Sequence, residues 1–140
     1  MKISLVTVGK TQGKEFAESI ADYSKRVSRY VQFEFVDTVE ERLAKALEKM
    51  DRVFLLDEHG KEYTSMEFSG FVEKQLNAGV KNVAFVIGGP FGFSDEVRAL
   101  ADSSIALSKM TFPHDLCRVV FLEQLYRAFS ILRNEKYHHE

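Results

Sequence analysis

Ile105-Ala106-Leu107-Ser108-Lys109-Met110-Thr111-Phe112-Pro113-His114 is the stretch on which the fold turns. An apolar run breaks into a short polar turn, and Pro113 stands where a long helix should begin. Proline is tolerated at the first helical position, because the N–H it lacks would be unpaired there anyway. The peptide groups of a strand-to-helix turn have no ladder partners and must find water or a ligand. The pattern predicts a strand over 105–108, a turn, and a helix from about 113 to 133. The apolar side of that helix is Leu116, Val119, Val120, Leu122, Tyr126, Phe129 and Leu132.

Upstream, Val83-Ala84-Phe85-Val86-Ile87 reads as a fully buried strand that runs into Gly88-Gly89-Pro90-Phe91-Gly92. Ser94 is placed to cap a short helix to about Ala101. Val53-Phe54-Leu55-Leu56 is a second apolar strand, predicted to end in a turn at Asp57-Glu58-His59-Gly60. Thr64 and Glu67 have capping-box spacing and open a helix that stops near Gly79. Ile3 to Val8 is a β-branched strand. Phe16, Ile20, Tyr23, Val27 and Tyr30 then form one helical stripe. Val31, Phe33 and Phe35 alternate with polar residues as a strand, and Thr38 is the expected N-cap of a helix through Leu43 and Leu47. Strand and helix alternate five times without repeats or linkers. The expected fold is therefore one α/β domain over 1–140, with a mostly parallel five- or six-stranded sheet and helices on both faces. Ligands in such folds bind beyond the carboxyl ends of the strands. The turns after Leu56, Ile87 and Leu107 are the ones to watch.

Composition bounds the function. The chain has 140 residues, 45% hydrophobic and 29% charged, which suits a single soluble domain. No run approaches a membrane span, and no signal-peptide profile opens it. One cysteine, Cys117, excludes an internal disulfide and a cysteine-rich zinc site, so the cytoplasm is the expected compartment. No cluster has metal-ligand spacing. A net charge of −2 argues against nonspecific nucleic-acid binding, but the charge is uneven. Residues 1–30 carry six Lys/Arg against three acids, and 31–106 carry eight against fourteen. Residues 107–140 carry five against four, with three of the four histidines. If the basic ends meet, they make a modest phosphate-facing surface; on charge alone they read equally as solvated helix faces.

Individual residues have ordinary readings beside the chemical ones. Gly88-Gly89 leaves room for a flat ligand, yet it is not a phosphate loop, and a Gly-Gly-Pro turn is commonly structural. Arg118 and Arg127 read as surface ion-pair partners, Arg127 with Glu123 at i,i+4. Cys117 reads as an inert core residue. Tyr137-His138-His139-Glu140 has an aromatic and two histidines able to meet a base and a phosphate, although chain ends usually fray.

Several motifs occur together. They are Leu56-Asp57-x-x-Gly60-Lys61, Phe85-Val86-Ile87-Gly88-Gly89-x-x-Gly92 and Leu107-Ser108-x-Met110-Thr111-Phe112-Pro113-His114. Arg118, Glu123-Gln124-Leu125-Tyr126-Arg127-Ala128 and Tyr137-His138 follow. In combination they resemble the RlmH family of the SPOUT superfamily of S-adenosylmethionine-dependent methyltransferases. The resemblance implies a C-terminal trefoil knot, which pattern reasoning does not propose, and a homodimer. It implies methylation of N3 of a pseudouridine in large-subunit ribosomal RNA, on assembled ribosomes, with neither DNA nor membrane as partner. It puts S-adenosylmethionine on Leu56, Gly88, Leu107, Ser108, Lys109, Met110, Thr111 and Phe112, and the catalytic work on His138, Arg118 and Tyr137. The chain departs from the family in having His139 where Arg or Lys usually stands, and Phe91 where a small polar or acidic residue is commoner. The rival readings are a non-catalytic RNA- or ribosome-binding protein of the same fold and a tRNA methyltransferase.

Overall fold

A computed structural model describes residues 1–139. The strands are β1 (Lys2–Val8), β2 (Gln32–Thr38), β3 (Arg52–Glu62), β4 (Asn82–Ile87) and β5 (Ser103–Ala106). The helices are α1 (Lys14–Val27), α2 (Glu40–Glu48), α3 (Ser65–Asn77), α4 (Asp95–Leu100) and α5 (His114–Leu132). All five strands join one sheet in the order β2-β1-β4-β3-β5, and every pairing is parallel.

The two-residue period of the strands sorts the core into two layers. Ile3, Leu5, Phe54, Leu56, Phe85, Ile87 and Ile105 face α1, α3 and α5. Val6, Val53, Leu55, Ala84 and Val86 face α2 and α4 through Leu43, Leu47 and Val97. β4 lies between β1 and β3, which is why Val83 to Ile87 are all buried. Helices on both faces are as expected, and the strand count among the described residues settles at five.

Several boundaries differ from the sequence reading, each for a physical reason. Thr38 does not cap α2. It pairs with Val8 at the end of β2 and its carbonyl accepts from the Gly9 N–H, so Val39 becomes the N-cap without a side-chain bond. Pro113 is the N-cap of α5, one place earlier than expected, and its carbonyl accepts from Cys117 N at 2.9 Å. β5 ends at Ala106, two residues early, which lengthens the turn before α5. Tyr30 lies beyond α1 but still packs on α5, stacked on Phe129 at 5.5 Å. The capping box of Thr64 and Glu67 forms in full, and Ser94 accepts from Val97 N.

The largest difference is at Asp57–Gly60. These four residues do not end the strand. They bulge out between Leu56 and Lys61, both of which pair with Ile105, and the ladder resumes through Glu62 and Ala106. Polar residues here mark an extension past the packed layers, and polarity alone does not separate that from a turn. The passage is tight: a Cβ on Gly60 would lie 2.6 Å from the Ser104 carbonyl carbon and 2.7 Å from the Ile105 nitrogen.

Candidate functional site

α5 is locked to the amino-terminal half of the chain at its own first turns. The Asp115 carboxylate accepts from Gln12 N at 3.0 Å and Gly13 N at 2.9 Å, supplying the cap that Gly13 lacks at the start of α1. One turn on, Arg118 is 1% exposed, so it is no surface ion-pair partner. Its guanidinium donates to the carbonyls of Val8 and Gly9, both at 3.1 Å, and to Thr11 Oγ1 at 2.9 Å. Burial pulls its pKa below the ordinary arginine value, against the pull of the Asp115 and Asp37 carboxylates. The cation that the resemblance sets at the reacting base is thus engaged inside the fold, on the loop leaving β1.

That clamp fixes the start of α5 beside the carboxyl ends of β3, β4 and β5. A cleft of about 350 Å³ opens there, within the range of roughly 300–1,000 Å³ usual for small-ligand sites. Three segments wall it: Leu56 with the bulge Asp57 to His59, in place of the expected turn, then Gly88 to Pro90 with Gly92 and Phe93, then the segment after β5. Leu56, Gly88, Leu107, Ser108, Met110, Thr111 and Phe112 all line it. Lys109 does not; it is 84% exposed and pairs with Glu62 at 3.6 Å.

The third wall is the informative one. Ser108 to Phe112 belong to neither helix nor strand, and among the described residues they make no backbone–backbone hydrogen bond. Only the Met110 N–H is satisfied locally, by Ser108 Oγ at 2.9 Å. A row of free peptide donors and acceptors therefore borders an apolar slot formed by Leu56, Ile87, Leu107 and Phe112. Such a wall can read the edge of a heterocycle while the slot encloses its faces. The wall is tied across the cleft, because the Thr111 hydroxyl donates to the Glu58 carboxylate.

Sequence reading missed part of the lining. Asp57 sits at the mouth, its carboxylate accepting from Arg98 at 3.1 Å and from His59 N at 3.0 Å. Burial pushes its pKa up, but these donors outweigh burial and hold it below the ordinary aspartate value. Arg98 had no sequence signal, being one charged residue on a short helix. Cys117, read as inert core, is a half-buried wall residue whose thiol is pushed up to about 11, chiefly by burial. His114 lines the cleft as well.

The tail is not frayed. Tyr137 packs edge-on against Tyr126 at 4.7 Å, under the Arg127 guanidinium, and donates to Glu123. Arg127 meets His138 Nδ1 at 3.1 Å and pairs with Glu123 at 2.9 Å, as the i,i+4 spacing predicts. His139 is exposed, and Glu140 lies outside the described residues. Along α5, the tail's anchor at Arg127 is about 15 Å from Cys117 in the cleft wall. Tyr137 and His138 thus stand apart from the cleft.

Fold and cleft together define an α/β protein with a ligand-sized cleft at the carboxyl edge of a parallel sheet. A family model of predicted SPOUT methyltransferases matches residues 1–138. A protein named ribosomal RNA large subunit methyltransferase H, from Christiangramia forsetii, is 47% identical, with 99% of both chains covered. The protein of the same name from Parabacteroides distasonis is 44% identical over the whole of both chains. This chain belongs to the SPOUT methyltransferase family. Solved structures agree at the level of fold. A probable methylase family protein from Haemophilus influenzae superposes with a TM-score of 0.59 at 10% identity, covering 99% of this chain and 70% of that one. The SpoU methyltransferase AviRb from Streptomyces viridochromogenes, solved with AdoMet, gives 0.51 at 10% identity, covering 89% and 56%.

Proposed function

We propose that this protein transfers a methyl group from S-adenosylmethionine to N3 of a pseudouridine in large-subunit ribosomal RNA, on the assembled ribosome and as a homodimer. The observation that carries the reading is the wall of free peptide groups at Ser108–Phe112, closing a cleft of ligand size in a chain whose full-length relatives are named ribosomal RNA large subunit methyltransferase H. When bound, the donor supplies an electrophilic methyl on a sulfonium. The protein's part is to hold, orient and exclude water. Leu56, Leu107 and Phe112 would enclose the adenine and the 108–112 peptides would read its edge, while Gly88 keeps a side chain out of the turn facing it. A Cβ at Gly88 would already press within 2.9 Å of Phe93.

Methylation at N3 requires loss of the imide proton, so a base or a hydrogen-bond donor to the developing anion belongs beside the target. Within one protomer no such group of the tail reaches the cleft. The dimer resolves this. α5 leaves Leu116, Val119 and Val120 only half-buried. Pairing α5 with its symmetry mate in antiparallel fashion moves each tail toward the other protomer's cleft. His138 and Tyr137 of one copy then act on the base held by the other, and Arg118 is a positioning residue that fixes the start of α5.

The test is transfer of tritium from labelled S-adenosylmethionine to intact ribosomes, followed by mapping of the modified nucleotide. Label is expected at one pseudouridine of the large subunit and absent from bare tRNA. H138A is expected to lower turnover at unchanged donor affinity; full turnover by that variant removes the tail from the chemistry.

A further inference from the structure

The loop between β4 and α4 carries two phenylalanines with opposite fates. Phe93 is half-buried beneath Gly88 in the cleft wall and holds the Arg98 guanidinium over its ring at 5.6 Å. It anchors the loop. Phe91 does nothing of the kind: it is 99% exposed, the most exposed large apolar side chain among the described residues. Its backbone is nonetheless held. Gly92 N donates to the Gly89 carbonyl at 3.1 Å, closing a turn with Pro90 and Phe91 at its corners, and Gly92 leaves that turn at a φ of +77°. The neighbours of Phe91 on both sides, Pro90 and Gly92, line the cleft. Met110, 77% exposed, stands on another turn that walls it.

A single exposed apolar residue needs no explanation in general. Here, however, the loop is already anchored by Phe93, and a whole aromatic ring is presented on a closed turn at the rim of the candidate site. We propose that Phe91 is the platform on which the target base stacks as it enters the cleft. The proposal rests on the methyltransferase reading above. To bring N3 to a donor inside the cleft, the base must leave its own stack and lose the contacts on its faces. A ring at the rim replaces one of them, and it does so with only two side-chain torsions to immobilise. Phe91 thereby acts on the RNA, whereas the peptide wall and apolar slot act on the donor.

The experiment compares F91A, F91L, F91Y and F91W in methyl transfer to intact ribosomes, with kcat and KM separated, alongside donor affinity by calorimetry. Stacking on an aromatic predicts a fall in kcat/KM of about ten- to a hundredfold for F91A. F91L falls nearly as far, while F91Y and F91W retain activity close to that of the unaltered protein. Donor affinity and thermal midpoint stay unchanged in all four. A fully active F91L overturns the proposal, because any apolar group would then suffice. Weakened donor binding in F91A overturns it in favour of a cover over the donor. Loss of the dimer in F91A overturns it in favour of a contact between copies. If the unaltered protein transfers no methyl to ribosomes, the parent reading falls and this one with it. If the unaltered protein transfers methyl and F91A matches it, only the stacking role falls.

Discussion

Replacing glycine by alanine at positions 60 and 70 should move stability in opposite directions, for reasons that the packing makes numerical. At Gly60 the added methyl would sit 2.6–2.7 Å from the Ser104 and Ile105 backbone atoms. Backbone cannot rotate aside as a side chain can, so the bulge and β5 must separate. Overpacking of this kind costs about 1–3 kcal/mol. Loss of one or two ladder bonds where Lys61 and Glu62 meet Ile105 and Ala106 adds about 1 kcal/mol each. The expected total is about 2–5 kcal/mol, a fall of roughly 6–15 °C in Tm for a chain of this size. Gly70 lies exposed inside α3 with nothing within 4 Å of the built Cβ, so G70A should stabilise by about 0.5–1 kcal/mol. Urea and thermal unfolding measure both changes, and calorimetry with S-adenosylmethionine reads whether displaced β5 carries the 108–112 wall with it. A G60A protein within about 1 kcal/mol of the parent, with unaltered donor affinity, would refute the close passage and the coupling of β5 to the cleft.

Three further outcomes follow from the same contacts. R118A leaves the Val8 and Gly9 carbonyls without their buried donor and should lower stability by about 3 kcal/mol in urea unfolding; R118K should recover only part, because an ammonium lacks the planar fork. Burial and the Glu135 carboxylate push the Tyr30 hydroxyl up to about 12, and burial with Glu123 pushes Tyr137 up as well. A raised pKa contributes stability that is complete below the free tyrosine value of about 10 and is lost as pH rises through the folded value. Y30F and Y137F should therefore each remove a late-titrating component from the alkaline ultraviolet titration. Asp57 is shifted the other way, so its pairing with Arg98 contributes above the free aspartate value of about 4 and fades on acidification. The stability difference between the parent and D57N, small at neutral pH at roughly 0.5 kcal/mol for a half-exposed pair, should shrink further below that pH.

Much of the fold was legible from pattern. Strand and helix alternation, the buried run Val83–Ile87, the Thr64 capping box and the Ser94 cap depend on residues near one another in sequence, and all formed as read. So did the convergence of the turns after Ile87 and Leu107 on one cleft, since strand direction in a parallel sheet puts successive carboxyl ends on one edge; the remaining wall there is the β3 bulge in place of the expected turn. The motifs from Leu56 to His138 also carried the family, which the full-length relatives bear out. What tertiary structure decided has a different character. That Asp57–Gly60 is a bulge and not a stop depended on β5, which follows more than forty residues later. That Arg118 is an internal clamp and not a surface cation depended on three acceptors more than a hundred residues away. The docked tail owes its place to Glu123, Tyr126 and Arg127 together. Local free energies write themselves into composition and spacing. The partner of a charged or polar group, in contrast, is chosen by which segments the packed sheet brings within hydrogen-bond reach, and no single stretch of chain encodes that.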